Sequence, residues 1–105
     1  TEVYESVHQD AEFAGGLDSL KLFISRNIKY PPSSCYVSTE GTVYVKFVVT
    51  KTGELEDIKV IRGLGIAQDE EATRLVKSMP NWIPGKQRGK TVNTYFILPI
   101  HFNLQ

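Results

Sequence analysis

Hydrophobic and polar residues alternate most regularly at the end of the chain, over Thr91–Gln105 (TVNTYFILPIHFNLQ). Val92, Phe96, Leu98, Ile100, Phe102 and Leu104 are large and apolar, and Thr94 among them is β-branched. The intervening Thr91, Asn93, Tyr95, Ile97, Pro99, His101 and Asn103 are mixed. A two-residue period over this length predicts a long strand with one face on a core and the other wetter. Pro99 has no N–H to give a neighbour, and a proline inside a strand pattern points to a sheet edge. The chain is therefore expected to end in a half-buried edge strand, and an open edge is either protected or a docking place for another strand.

Upstream, Thr1–Gly16 shows no sustained period and reads as a flexible lead-in closed by Gly15-Gly16. Leu17, Leu20, Phe23, Ile24 and Ile28 then recur at three- and four-residue spacing, predicting an amphipathic helix. Asp18 in its first turn and Lys21 and Arg26 further on complement the helix dipole. Pro31 and Pro32 force it to stop near Asn27–Lys29. Pro32–Gly41 has loop composition. In Thr42–Thr50, Val43, Val45, Phe47 and Val49 share one face and Tyr44 and Lys46 the other. A turn around Gly53 leads into Leu55–Arg62, with Ile58 and Val60 inward and Lys59 outward, which makes a β-hairpin. Asp69, as N-cap, with Glu70 and Glu71 in the first turn, opens a second helix. Its Ala72, Leu75, Val76 and Met79 fall on one face, and Pro80 ends it. Asn81–Lys90 reads as a loop holding Trp82. The expected fold class is α+β in the order α-β-β-α-β, a three-stranded antiparallel sheet with two helices packed on one face, over residues 17–105.

Composition narrows the function classes. The chain has 105 residues and is 41% hydrophobic, enough for one small core. Its 12 basic and 12 acidic side chains cancel, so no global field draws in nucleic acid or an anionic membrane. No apolar run is long enough to span a bilayer. The polar Thr1–Asp10 is not a signal peptide, and a start at Thr1 rather than Met fits a mature form or an excised fragment. The single cysteine, Cys35, excludes an internal disulfide.

Residues spread along the chain carry a family resemblance. They are Gly15-Gly16, Tyr30-Pro31, Gly41-x-Val43-x-Val45-x-Phe47-x-Val49, Gly53 and Asp69 to Ala72, followed by Trp82-x-Pro84-Gly85-Lys86, Gly89, Val92 and Leu98-Pro99-Ile100-x-Phe102. In this order and spacing, over roughly residues 13–104, the chain resembles the C-terminal domain of the TonB energy transducers of Gram-negative bacteria, in the form found in Bacteroidetes-type sequences. It departs from that pattern at Ser34, Ser38-Thr39, Asp10 and Ala14. The resemblance implies a non-enzymatic periplasmic domain without cofactors. The parent protein would be anchored in the inner membrane by an N-terminal helix and driven by the ExbB–ExbD proton-powered motor. The domain would grip the TonB box of an outer-membrane transporter as a strand added beside its own last strand, and would transmit force for nutrient uptake.

On this reading the backbone of Asn93, Thr94, Tyr95, Phe96 and Ile97 pairs with the guest, ahead of the interruption at Pro99. Tyr30 and Pro31 would line the groove, although helix termination alone explains the proline. The competing account of the same edge is that the chain's own lead-in, or a second copy in a strand-swapped homodimer, covers it. Trp82 sits in an apolar Trp-x-Pro corner and reads as core. Lys86, Arg88 and Lys90 read as a solvated loop, and Glu54, Glu56 and Asp57 as a solvated face. His8 and His101 have neither the spacing nor the neighbours of metal ligands. Cys35 lacks the partners of a catalytic thiol, and no phosphate-cradling glycine loop is present. Two other readings stand beside the transducer: a signal-recognition appendage of a membrane-embedded sensor peptidase, and a nucleic-acid-binding sheet hinted at by Tyr44 and Lys46.

Overall fold

The structure, a computed structural model, describes residues 2–5, 10–29 and 40–103. Tyr30, Pro31, His8, Cys35, Leu104 and most of the loop before the hairpin lie outside the described residues. The elements are β1 (Val3–Tyr4), α1 (Gly16–Asn27), β2 (Gly41–Val49), β3 (Leu55–Arg62), α2 (Ile66–Lys77), β4 (Gly85–Gln87) and β5 (Lys90–Phe102). The α-β-β-α-β core is as expected, but the sheet has five strands rather than three. Its order is β1-β5-β2-β3, with β4 also paired to β5.

The two added strands come from stretches without a two-residue period. β1 lies in the lead-in and pairs with β5 in parallel. β4 lies in the segment read as a loop and forms a hairpin with the start of β5, Gln87 opposite Lys90. The two-residue turn between them, Arg88-Gly89, has positive φ at both positions, 54° and 77°. That is the turn whose twist matches a tight hairpin. Pairing this short gives no sequence pattern, because two or three residues cannot show a period.

β2 and β5 form the spine of the sheet. They run antiparallel from Gly41 opposite Phe102 to Val49 opposite Thr94 without a register shift. Val43, Val45, Phe47 and Val49 share a face with Ile100, Leu98 and Phe96, and this face is the core. Leu20 of α1 and Ala72, Leu75 and Val76 of α2 are buried in the same cluster, with Phe23, Ile24 and Ile28 packed against it. Leu17 does not belong to the stripe. It is 63% exposed and lies in the first turn of α1, which begins at Gly16.

Two other local expectations change. The cap of α2 is Gly65, and Asp69 sits one turn inside. Its Oδ1 reaches back to accept the Leu64 N–H at 2.9 Å. The carboxylate thus satisfies a backbone donor preceding the helix, which is the task an N-cap side chain performs from the other side. Residues 11–13, assigned to the lead-in, are packed into the fold. Ala11 and Phe13 are buried, and Glu12 and Ile83 exchange two backbone hydrogen bonds of 3.0 and 2.8 Å.

The Trp82 corner closes one end of the core, as its sequence predicts. The indole is buried against Phe13, Phe47 and Phe96, with centroid separations of 5.7, 5.3 and 4.7 Å. Its backbone N–H donates to the Gly53 carbonyl at 2.8 Å. Gly53 has φ 90°, and a Cβ there would overlap the Trp82 carbonyl, so both the turn and the close approach require glycine.

A candidate strand-docking edge

The five residues Asn93–Ile97 divide by parity. Thr94 and Phe96 point into the core: Thr94 is buried and Phe96 lies on Trp82 and Phe47. Asn93, Tyr95 and Ile97 point to the opposite face of the sheet, where Val48 beside Tyr95 is buried and Ile97 is exposed. The same alternation governs the backbone. Tyr44 is paired with Pro99 within an unshifted ladder, so Pro99, which has no N–H, belongs at a position whose amide faces away from β2. Counting back in twos, the amides of Ile97, Tyr95 and Asn93 face the outer margin of β5, while those of Leu98 and Phe96 face β2.

That outer margin is occupied at one end. β1 pairs there, Val3 with Asn93 and Tyr4 with Thr94. Asn93 reinforces the junction with both ends of its amide: Oδ1 accepts the Lys51 N–H at 2.8 Å and Nδ2 donates to the Glu2 carbonyl at 3.3 Å. Beyond Tyr95, from Ile97 to Phe102, no strand among the described residues pairs with this margin. Ile97 is 49% exposed there.

The other margin of the sheet, β3, is built differently. Its pairing with β2 shifts register twice, and Asp57 takes φ 53°. Glu56, Asp57, Lys59 and Arg62 are exposed along it. Bulges and charge are the usual protection of an edge against strand addition. β5 has neither.

The face opposite the core carries a small ionic network. Lys46 Nζ lies 4.3 Å from the Tyr95 ring centroid and 3.8 Å from Glu5 Oε2. Arg62 stands 6.0 Å over Tyr44. Both tyrosine rings, the surfaces a stacked base would need, are therefore beneath cations. Lys46 also faces Lys59 directly across the β2–β3 register, and Glu5 and Tyr95 offset that repulsion. Glu5 could not be foreseen in this role, because the lead-in offers no period from which to place it.

A second network fixes where the chain leaves α1. Arg74 donates to Glu71 through Nε and Nη2, each at 2.7 Å, and Nη2 also donates to the Asn27 carbonyl at 2.9 Å. The Lys29 N–H donates to Glu71 Oε2 at 2.6 Å. Burial pushes the Glu71 carboxyl up, but the hydrogen bonds from Arg74 and Lys29, with their charges, outweigh it and hold the group below the ordinary glutamate range. Tyr30 and Pro31 follow this clasp directly but lie outside the described residues.

Among the described residues no group of three or more His, Cys, Asp or Glu side chains could hold a metal ion. His101 sits between Thr42, Nδ1 to Oγ1 3.1 Å, and Glu40, Nε2 to Oε2 3.7 Å. No described helix is long and apolar enough to cross a membrane.

No curated protein matches the chain. The fold is similar to the NMR solution structure of the Helicobacter pylori TonB C-terminal domain, with a TM-score of 0.60 and 23% sequence identity, over 82% of this chain and 78% of that one. A family model described as "Gram-negative bacterial TonB protein C-terminal" matches residues 26–104, and the chain belongs to that family.

Proposed function

We propose that this domain binds the TonB box of outer-membrane transporters by strand addition along the outer margin of β5, over Asn93–Ile97, and transmits force from the inner membrane for nutrient uptake. Membership of the TonB C-terminal family supports a TonB-type energy-transducer role in the periplasm and a general affinity for outer-membrane receptors. The family is transport-associated and non-enzymatic. Coupling to ExbB and ExbD, and anchorage by an N-terminal helix, belong to the same proposal and lie outside this sequence.

The observation that carries the reading is the asymmetry of the two sheet margins. β3 is bulged and charged, while β5 runs unshifted against β2 and its outer margin is unpaired from Ile97 onward among the described residues. Parity gives the guest three outward-facing residues, Asn93, Tyr95 and Ile97. Each main-chain hydrogen bond contributes ~0.5–1.5 kcal/mol net. Such bonds depend on backbone rather than side chains, so they tolerate varied partners, and alternate side chains of the guest supply selectivity. Loaded together along the strand, they share a pull that no single contact would resist.

The test is titration of the full chain with a synthetic TonB-box peptide, followed by backbone amide shifts. Perturbations confined to Asn93–Ile97 and the facing β1 support the proposal. Perturbations centred on β3 or on the exposed face of α2 refute it.

A further inference from the structure

The outer margin of β5 already holds a short strand of the chain itself. We infer that Glu2–Glu5 is a resident stand-in for the guest, which must be displaced before a partner can pair with Asn93 and Tyr95, and that Lys46 then passes from Glu5 to a carboxylate on the incoming strand. This inference rests on the strand-addition reading above and concerns its regulation and selectivity.

Three observations carry it. β1 uses the same register positions that the guest would use, Val3 at Asn93 and Tyr4 at Thr94. By parity, the amides of Asn93 and Tyr95 face this strand and would be surrendered to a guest. Next, the attachment is slight. β1 has two residues, both only half-buried, and beside its short main-chain pairing with β5 the segment is tied by a 3.3 Å hydrogen bond from Asn93 Nδ2 to the Glu2 carbonyl and the 3.8 Å contact of Glu5 with Lys46. Val3, Val48, Thr50, Lys51 and Asn93 also line a groove of about 460 Å³, so one flank of β1 is not packed. A strand this short hides an adhesive edge without holding it firmly.

The third observation is the clasp. Lys46 sits opposite Ile97 on β2, over the Tyr95 ring, and reaches Glu5 at 3.8 Å. The Glu5 side chain is 72% exposed, so this contact is weak and readily exchanged. The resident strand therefore specifies its replacement: an extended segment running parallel to β5, with an acidic residue one step beyond the position opposite Thr94. Without a carboxylate, Lys46 would face Lys59 with only the Tyr95 ring to offset the repulsion, which favours exchange of one carboxylate for another over simple release.

The experiment uses the full chain and a TonB-box peptide whose acidic residue is compared with its amide counterpart. Tyr4→Pro removes a backbone donor from β1 and leaves β5 intact. It is expected to tighten binding about tenfold by freeing the edge. Glu5→Gln opens the clasp and is expected to tighten binding about twofold to fivefold. Lys46→Gln is expected to abolish the preference for the acidic over the amide peptide. Without peptide, hydrogen exchange at Asn93 and Tyr95 is expected to accelerate in Tyr4→Pro while Leu98 and Ile100 stay protected.

If the wild type binds the peptide and the Tyr4→Pro and Glu5→Gln variants bind it equally well, the stand-in is refuted and strand addition survives. If acidic and amide peptides bind the wild type alike, the Lys46 handover is refuted. If no variant binds any TonB-box peptide, both this inference and the proposed function fall.

Discussion

Replacing Ile97 with proline tests the parity of β5, on which the docking model depends. The side chain is 49% exposed and its amide faces away from β2, so the substitution breaks no ladder bond to β2. Pro99, two residues on, already occupies a position of the same parity. The expected stability loss is about 0–1 kcal/mol. Leu98→Pro is the control, one residue away. Leu98 is buried and paired with Val45. Proline there orphans a buried carbonyl, costing ~1–3 kcal/mol, and removes part of a packed side chain, costing a further ~1–3 kcal/mol. A total of roughly 2–6 kcal/mol is a large share of the ~5–15 kcal/mol of a small domain. In urea, with a slope of about 2 kcal/mol/M, it moves the midpoint by about 1–3 M. Trp82 is the single tryptophan and is buried, so its fluorescence reports the transition directly. Binding should show the reverse order of specificity: Ile97→Pro removes one donor from the guest's ladder and weakens peptide affinity about twofold to twelvefold while the fold stands. Two results would each refute the reasoning. Equal urea midpoints for the two variants would show that the alternation is misassigned. A stable Ile97→Pro variant with unchanged affinity would show that this margin is not where the guest binds.

Other expectations are read in the same two assays. Tyr95→Pro should weaken TonB-box binding more than Ile97→Pro does and leave helical circular dichroism intact, since Tyr95 shares the outward parity and also carries the Lys46 contact. Trp82→Ala should cost ~3–5 kcal/mol. Trp82→Phe should cost far less, because the indole Nε1 is buried without a partner among the described residues and its removal relieves that penalty. Gly63→Ala should cost about 1–2 kcal/mol, because a Cβ there overlaps the Asp69 carboxylate and breaks its bond to Leu64. In an Asp69→Ala background the same change should cost little more. The Glu71 carboxyl is held below its ordinary value of 4.5 in the folded state, so its contribution is complete above that pH and is lost as pH falls through the lowered folded value. Glu71→Gln should therefore flatten the stability–pH curve below about 4.5, and an unchanged acid limb would contradict this.

The elements that carry several periods were legible in the sequence. The alternation of Val43 to Val49 and of Phe96 to Phe102 fixes which side of each strand meets the helices, and Leu75 and Val76 at helical spacing supply the covering layer. What was not legible is pairing by segments too short to repeat: Val3–Tyr4 on β5, and Gly85–Gln87 in the hairpin closed by Arg88-Gly89. Asp69 was read as a cap because Asp before an apolar run is the common signature, and the sequence cannot tell a carboxylate that caps forward from one that reaches back. Within the candidate site, Asn93–Ile97 follows from period and proline, but the contact of Lys46 with Glu5 joins positions with no local relation.

The same alternation explains why a single proline can sit in the strand on which docking would depend. On β5 the inward positions are committed to Phe96, Leu98, Ile100 and Phe102, whose amides face β2. A proline at any of them would sacrifice a buried bond. At Pro99 it sacrifices only an outward donor, within the stretch Ile97–Phe102 whose outer margin no described strand pairs. It therefore leaves the span Asn93–Ile97 able to accept a backbone while shortening the adhesive length beyond it. A longer fully donating margin would pair with another copy of the same strand as readily as with a guest. On this account Pro99 and β1 restrict the margin from opposite ends, one permanently and one reversibly. Pro99→Ala should then raise the domain's tendency to dimerise at high concentration without altering its affinity for a peptide that ends at Ile97.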